Sequence, residues 1–188
     1  AADYAKISLV IQSRQITRVE PSFLIPRRRI RVCIIVVTGT HPCALDDQLP
    51  SFTKTMTQDK MDLFESVARL AVEPDQRAAP PVNIHTDAAR AKELGLTRPI
   101  ASGQMSFAYL NELLSRAFGI DFRQGGQLSV TFLKPVYDGD TVTTHGVVQE
   151  KQTVNGRTNL RLQVWLENQE AVKTCAGEAE VVIPSPLT

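Results

Sequence analysis

The residues best suited to chemistry in this sequence stand together between Pro81 and Leu110, in PVNIHTDAARAKELGLTRPIASGQMSFAYL. His85 supplies an imidazole, the side chain that exchanges a proton most readily near neutral pH. Asn83 before it, and Thr86 and Asp87 after it, are the residue types that fix turns and open helices. Pro99 then breaks the chain, and Ser102-Gly103 begins a second helix. The first turn of a helix offers unpaired backbone N–H groups and the positive end of a dipole, a place that favours developing negative charge. A proton-transfer group and an anion-favouring helix start therefore fall within one short stretch.

Other combinations are poorer. His41, Cys43, Asp46 and Asp47 share one loop, but no second cluster completes a metal site, and we expect no metal. No serine sits in a Gly-x-Ser-x-Gly elbow, so nothing supports a Ser-His-Asp hydrolase. His145 lies in a strand beside Gly146 and reads as structural. Asp75, with Glu73 just before it, is the nearest carboxylate upstream of His85, at the far end of a proline-rich loop where solvated acids are common.

The elements that must position these residues follow from periodicity. FTKTM reads as a short strand. Thr57 to Lys60 start a helix whose apolar positions Met61, Phe64, Val67, Ala68 and Ala71 recur at i, i+3, i+4. Thr86 or Asp87 caps a short helix that runs to Leu94 and ends at Gly95. From Ser102 to Phe118 a long helix carries two apolar stripes, Phe107, Leu110, Leu114 and Ala117 beside Met105, Tyr109 and Leu113. Its polar strip around Gln104, Asn111 and Ser115 is narrow, so other elements must wrap it. Leu128, Val130 and Phe132 alternate, Val142 to Lys151 form a long strand, and Asn155-Gly156 is a hairpin signal. Leu160 to Leu166 and Cys175 to Ile183 alternate again. Four successive antiparallel strands and one dominant helix describe an α+β fold, a sheet curled around that helix.

Composition narrows the functional classes. A chain of 188 residues with 43% hydrophobic content suits one sizeable core, and a net charge of +1 gives no basic field for nucleic acid. Cys33, Cys43 and Cys175 are too few and scattered for a disulfide framework, which fits a reducing, cytoplasmic setting. RRRIRVCIIVV, at Arg27 to Val37, is interrupted by Arg31 and far short of the ~20 residues of a spanning helix, so we read a buried strand and no membrane segment. With KISLVIQSRQITRV it makes residues 1–48 an N-terminal extension of two strands, and the main domain covers 49–188.

The order of strand, helix, NIHTD, PIASG with a buried helix, and a meander ending in VWLENQEAVKTCAGEAEVVIP resembles the MaoC-like acyl dehydratases and (R)-specific enoyl-CoA hydratases of the hot-dog fold. The resemblance spans about Leu49 to Pro184. It implies reversible addition of water to a 2-enoyl thioester carried on coenzyme A or acyl carrier protein, with no cofactor, in fatty acid metabolism, by a homodimer or higher homo-oligomer. In that family an Asp-x-Asn-Pro-x-His motif supplies an acid–base pair, and a backbone N–H at the start of the central helix polarises the thioester carbonyl. His85 stands at the family's histidine and Gly103 at the N–H donor, with Asn83 and Ser102 as substrate-side neighbours. The family's aspartate falls on Pro80, or on Pro81 if a gap is allowed, so Asp75 is the nearest replacement. Three readings follow: a hydratase or dehydratase with His85 and a non-standard partner, a degenerate acyl-binding or interaction protein of the same fold, and a thioesterase.

Overall fold

The computed structural model describes residues 8–12, 44–70 and 83–184. Its elements are β1 (Ser8–Gln12), β2 (Thr53–Thr55), α1 (Gln58–Leu70), α2 (Ala88–Glu93), α3 (Gly103–Gly125), β3 (Gln127–Phe132), β4 (Thr141–Val154), β5 (Arg157–Asn168) and β6 (Lys173–Pro184). The strands form one antiparallel sheet in the order β1-β3-β6-β5-β4-β2. The class is α+β, a sheet curled around a long central helix.

Strand alternation gives the sheet its inner face. Leu160, Leu162, Val164 and Leu166 on β5 and Cys175, Ala179, Val181 and Ile183 on β6 are buried, and they pack against Leu110, Leu113, Leu114 and Phe118 of α3. Those four α3 side chains are fully buried, each stabilising by about 1.5–3 kcal/mol relative to exposure. Gln104, Ala108 and Asn111 lie along the opposite, exposed strip of the helix. Asn155 and Gly156 both take positive φ, 51° and 72°, in the two-residue turn joining β4 to β5.

Three details differ from the sequence-based reading. The central helix continues beyond Phe118 to Gly125, because Gly119, at φ 58°, absorbs a kink that a side chain would resist. On α1, Met61 is fully buried and Phe64 half-buried, but Val67 is 56% exposed. A small second core of Met56, Met61, Ala101, Met105, Val136 and Val142 receives the start of α1. Finally, β4, β5 and β6 form a meander, but β3 pairs with β6 rather than with β4. The reason is the path of the chain after β3. Ala101 N donates to Val136 O at 2.7 Å and Ile100 bridges Tyr137, so this segment crosses the start of α3 before a turn leads into β4.

The 1–48 segment contributes β1, which pairs with β3 from Ser8 opposite Thr131 to Gln12 opposite Gln127. The strand expected at 27–37, His41, Cys33 and Cys43 lie outside the described residues. No helix among the described residues is long and apolar enough to cross a membrane.

Candidate active site

Asn83 builds the turn that presents His85. Its Oδ1 accepts from the backbone N–H groups of His85 at 2.8 Å and Thr86 at 3.1 Å, and from the Thr86 hydroxyl at 3.2 Å. Its Nδ2 donates to Glu65 Oε2 on α1 at 3.0 Å. Gln58, at the start of α1, donates from Nε2 to the carbonyl of His85 at 2.9 Å and to Asp62 Oδ1 at 2.8 Å. The loop is therefore clamped to α1 from two sides. Asp87 closes it by capping α2, accepting from Arg90 N at 2.7 Å.

The imidazole is oriented by the segment that leads into α3. His85 Nδ1 lies 2.8 Å from the carbonyl oxygen of Ile100. A carbonyl only accepts, so in the neutral ring the proton sits on Nδ1 and the lone pair on Nε2. Ile100 N in turn donates to Ile84 O at 3.1 Å, so the histidine loop and the helix approach are tied to each other in both directions. Ser102 occupies the N-cap position, but its side chain makes no capping hydrogen bond.

Between these pieces lies a cleft of about 430 Å³, lined by Ile84, His85, Ser102, Gly103, Ser106 and Phe132, with Lys134 and Pro135 among its other walls. His85 and Gly103 thus border one space. A side chain on Gly103 would come within 3.0 Å of the Phe132 ring, so its backbone lies open only because it has none. The leading N–H groups of α3 have no carbonyl within the helix to bind, which leaves them available to a ligand oxygen. This combination can move a proton at His85 Nε2 and stabilise negative charge at the helix start.

Of the residues singled out in the sequence, His85, Ser102 and Gly103 line the cleft, whereas Asn83 is occupied in the turn beside it. Asp75, Pro80 and Pro81 lie outside the described residues. Among the described residues no carboxylate lines the cleft, and none bonds the His85 ring. No group of described His, Cys, Asp and Glu residues is placed to hold a metal ion. His145 stacks on Trp165 at 5.1 Å and lies 3.5 Å from Glu167, on strands away from the cleft. Sequence reasoning missed Gln58 and Glu65, which support the loop, and Phe132, Lys134 and Ser106, which line the cleft. Ser106 had left a trace: it is a polar residue on the apolar side of the helix, outside the polar strip.

Comparison with known proteins agrees with this architecture. Residues 81–170 match the MaoC like domain, and the fold is the hot-dog fold of the solved structures to which the chain is similar. The unliganded R-hydratase of Pseudomonas aeruginosa is similar over 76% of this chain and 83% of its own, at 22% identity and a TM-score of 0.57. The (R)-hydratase of A. caviae involved in PHA biosynthesis covers 75% of this chain and 97% of its own, at 21% identity and a TM-score of 0.57. The MaoC-like dehydratase of Rhodospirillum rubrum covers 80% and 100%, at 18% identity and a TM-score of 0.61. Among curated proteins none matches.

Proposed function

We propose that this protein is a hydro-lyase that adds water to, or removes it from, an acyl thioester at C2–C3, with His85 as its acid–base group. The observation that carries the reading is that His85, held through Nδ1, and Gly103, at the open start of α3, border the same cleft. In hydration, His85 Nε2 takes a proton from water as the water oxygen bonds to C3. The electron pair of the C2–C3 double bond moves onto the thioester oxygen, where the Gly103 N–H supports it. Collapse of this enolate takes a proton at C2, giving the 3-hydroxyacyl thioester. Lone imidazole catalysis requires His85 to perform both transfers in turn; with Asp75 as partner the two are shared. Lys134, at the cleft wall with no carboxylate partner among the described residues, suits the phosphates of coenzyme A or of a carrier protein's prosthetic group.

One observation favours a second reading, in which the protein binds acyl thioesters without hydrating them: no described carboxylate reaches the His85 ring, and the sequence has Pro80 and Pro81 where the family's acid stands. The deciding experiment is hydration of crotonyl-CoA by the purified protein. The hydro-lyase reading expects measurable turnover, slowed by about 10²- to 10⁴-fold where one acid–base group is missing. It also expects complete loss in His85→Ala with the fold retained, and loss in Asp75→Asn if that acid is the partner. An active His85→Ala protein would remove the histidine from the mechanism, and a protein that binds crotonyl-CoA without turnover would establish the binding reading.

In the same reading the hot-dog unit begins near Leu49, the preceding segment adds the edge strand β1, and the protein works in the cytoplasm. The edge of the three-residue β2, unpaired among the described residues, supports assembly of a homodimer, since unpaired edges otherwise invite association. Light scattering at micromolar concentration checks the assembly; a monomer would count against it.

A further inference from the structure

We propose that Ser106 selects an acyl chain that carries a hydrogen-bonding oxygen beyond its reacting carbons; the inference rests on the acyl-thioester reading of the same cleft. Ser106 is 5% exposed and lines the cleft, yet its hydroxyl has no hydrogen-bond partner among the described residues. Every fully enclosed side-chain polar atom among those residues has a partner, so a hydroxyl without one is a hydroxyl that opens onto the space it lines. The neighbouring walls are apolar: Ile84, Ile100, Ala101, Phe132, Pro135 and Val136.

A plain hydrocarbon in this cleft would strip water from the Ser106 hydroxyl and return nothing, which is the costly way to bury a polar group. A hydroxyl or keto oxygen at the same depth restores the bond. Position along the chain follows from the helix. Ser106 comes three residues after Gly103, on the same face and about 4.5 Å further along the axis at ~1.5 Å per residue. A thioester whose carbonyl oxygen sits at the Gly103 N–H therefore presents to Ser106 a part of the chain deeper than C2 and C3. The Ser102 hydroxyl, one turn earlier and free of any capping bond, lines the same face of the cleft. Two hydroxyls at i and i+4, neither with a hydrogen-bond partner among the described residues, make this helix face a polar stripe beside the apolar walls.

The test uses saturated probes, which cannot be turned over: hexanoyl-CoA and its monohydroxylated forms with the hydroxyl at successive carbons beyond the third. Calorimetric dissociation constants are compared between the intact protein and Ser106→Ala. We expect at least one hydroxylated chain to bind the intact protein about tenfold more tightly than hexanoyl-CoA, the size of one well-made hydrogen bond. In Ser106→Ala that preference should vanish, with plain hexanoyl-CoA bound at least as well as before. Preference for the plain chain, or a preference that survives Ser106→Ala, would overturn this inference and leave the acyl-thioester reading standing. Failure of every thioester to bind would overturn both.

Discussion

Replacing Asn83 by alanine should loosen the histidine loop and leave the core untouched. The His85 amide, the Thr86 amide and the Thr86 hydroxyl each lose a bond to Asn83 Oδ1, the Thr86 amide keeping its 3.3 Å bond to the Asn83 backbone carbonyl, and Glu65 loses the Asn83 amide. At a net ~0.5–1.5 kcal/mol per bond, with water replacing part of each at this half-buried site, the loss is roughly 2–3 kcal/mol. Glu65, Asn83, His85 and Thr86 are all only half-buried, so the effect is local opening more than global unfolding. Amide exchange at His85 should therefore accelerate by about 30- to 100-fold and that at Thr86 by less, with a fall in melting temperature of at most ~10 °C. Turnover should drop by about 10²-fold, the usual consequence of a catalytic group displaced by an ångström. Asn83→Asp sharpens the test, because it keeps all three acceptor bonds but sets a second carboxylate against Glu65 at a contact of 3.0 Å. Two such carboxylates repel unless they share a proton. The penalty is then full when both are ionised and shrinks as the pH falls, so the variant should approach the parent at pH 5 and lag behind it at pH 8. Unchanged exchange at the His85 and Thr86 amides in Asn83→Ala would refute the loop argument whether or not the protein hydrates anything.

A Cβ at Gly177 would lie 2.0 Å from the Ser129 carbonyl on β3, so Gly177→Ala must break the β3–β6 ladder; a loss of ~3 kcal/mol or more should appear as a lower denaturation midpoint or insoluble protein. Burial pushes the Cys175 thiol up from 9.0 to about 12. The folded state then holds a proton the unfolded chain gives up, so this contribution to stability is full below pH 9, falls as pH rises and is gone above about pH 12. Urea melts of Cys175→Ala should show a flatter decline across that window, and Cys175 should resist alkylation until the protein unfolds. Lys134→Ala should raise KM for a coenzyme A thioester by several-fold and weaken its salt dependence, with kcat unchanged, if the lysine meets phosphate and not the reacting carbons.

Much of the fold was legible because its signals are local and periodic. The two apolar stripes between Met105 and Phe118 require a surrounding sheet, the alternation from Leu160 to Ile183 supplies it, and Asn155-Gly156 joins two strands through positive φ angles that few other residues adopt easily. The candidate site was legible in part for the same reason: a histidine turn and a helix start carry recognisable residue types, and Asp87 was readable as a helix cap.

The sequence by itself determined that one long helix must be enclosed, that the strands after it are antiparallel, and that an imidazole and a helix start stand near each other in the chain. Only the tertiary structure decided that β3 joins β6, which sends Phe132 to Val136 across the helix start and makes them walls of the cleft. The same folding placed Gln58 and Glu65 under the histidine loop, chose the Ile100 carbonyl as the partner of His85 Nδ1, and turned Ser106 toward the cleft. These contacts join residues far apart in sequence through a few hydrogen bonds and close approaches. Such contacts leave no period along the chain, because they depend on where whole elements come to rest.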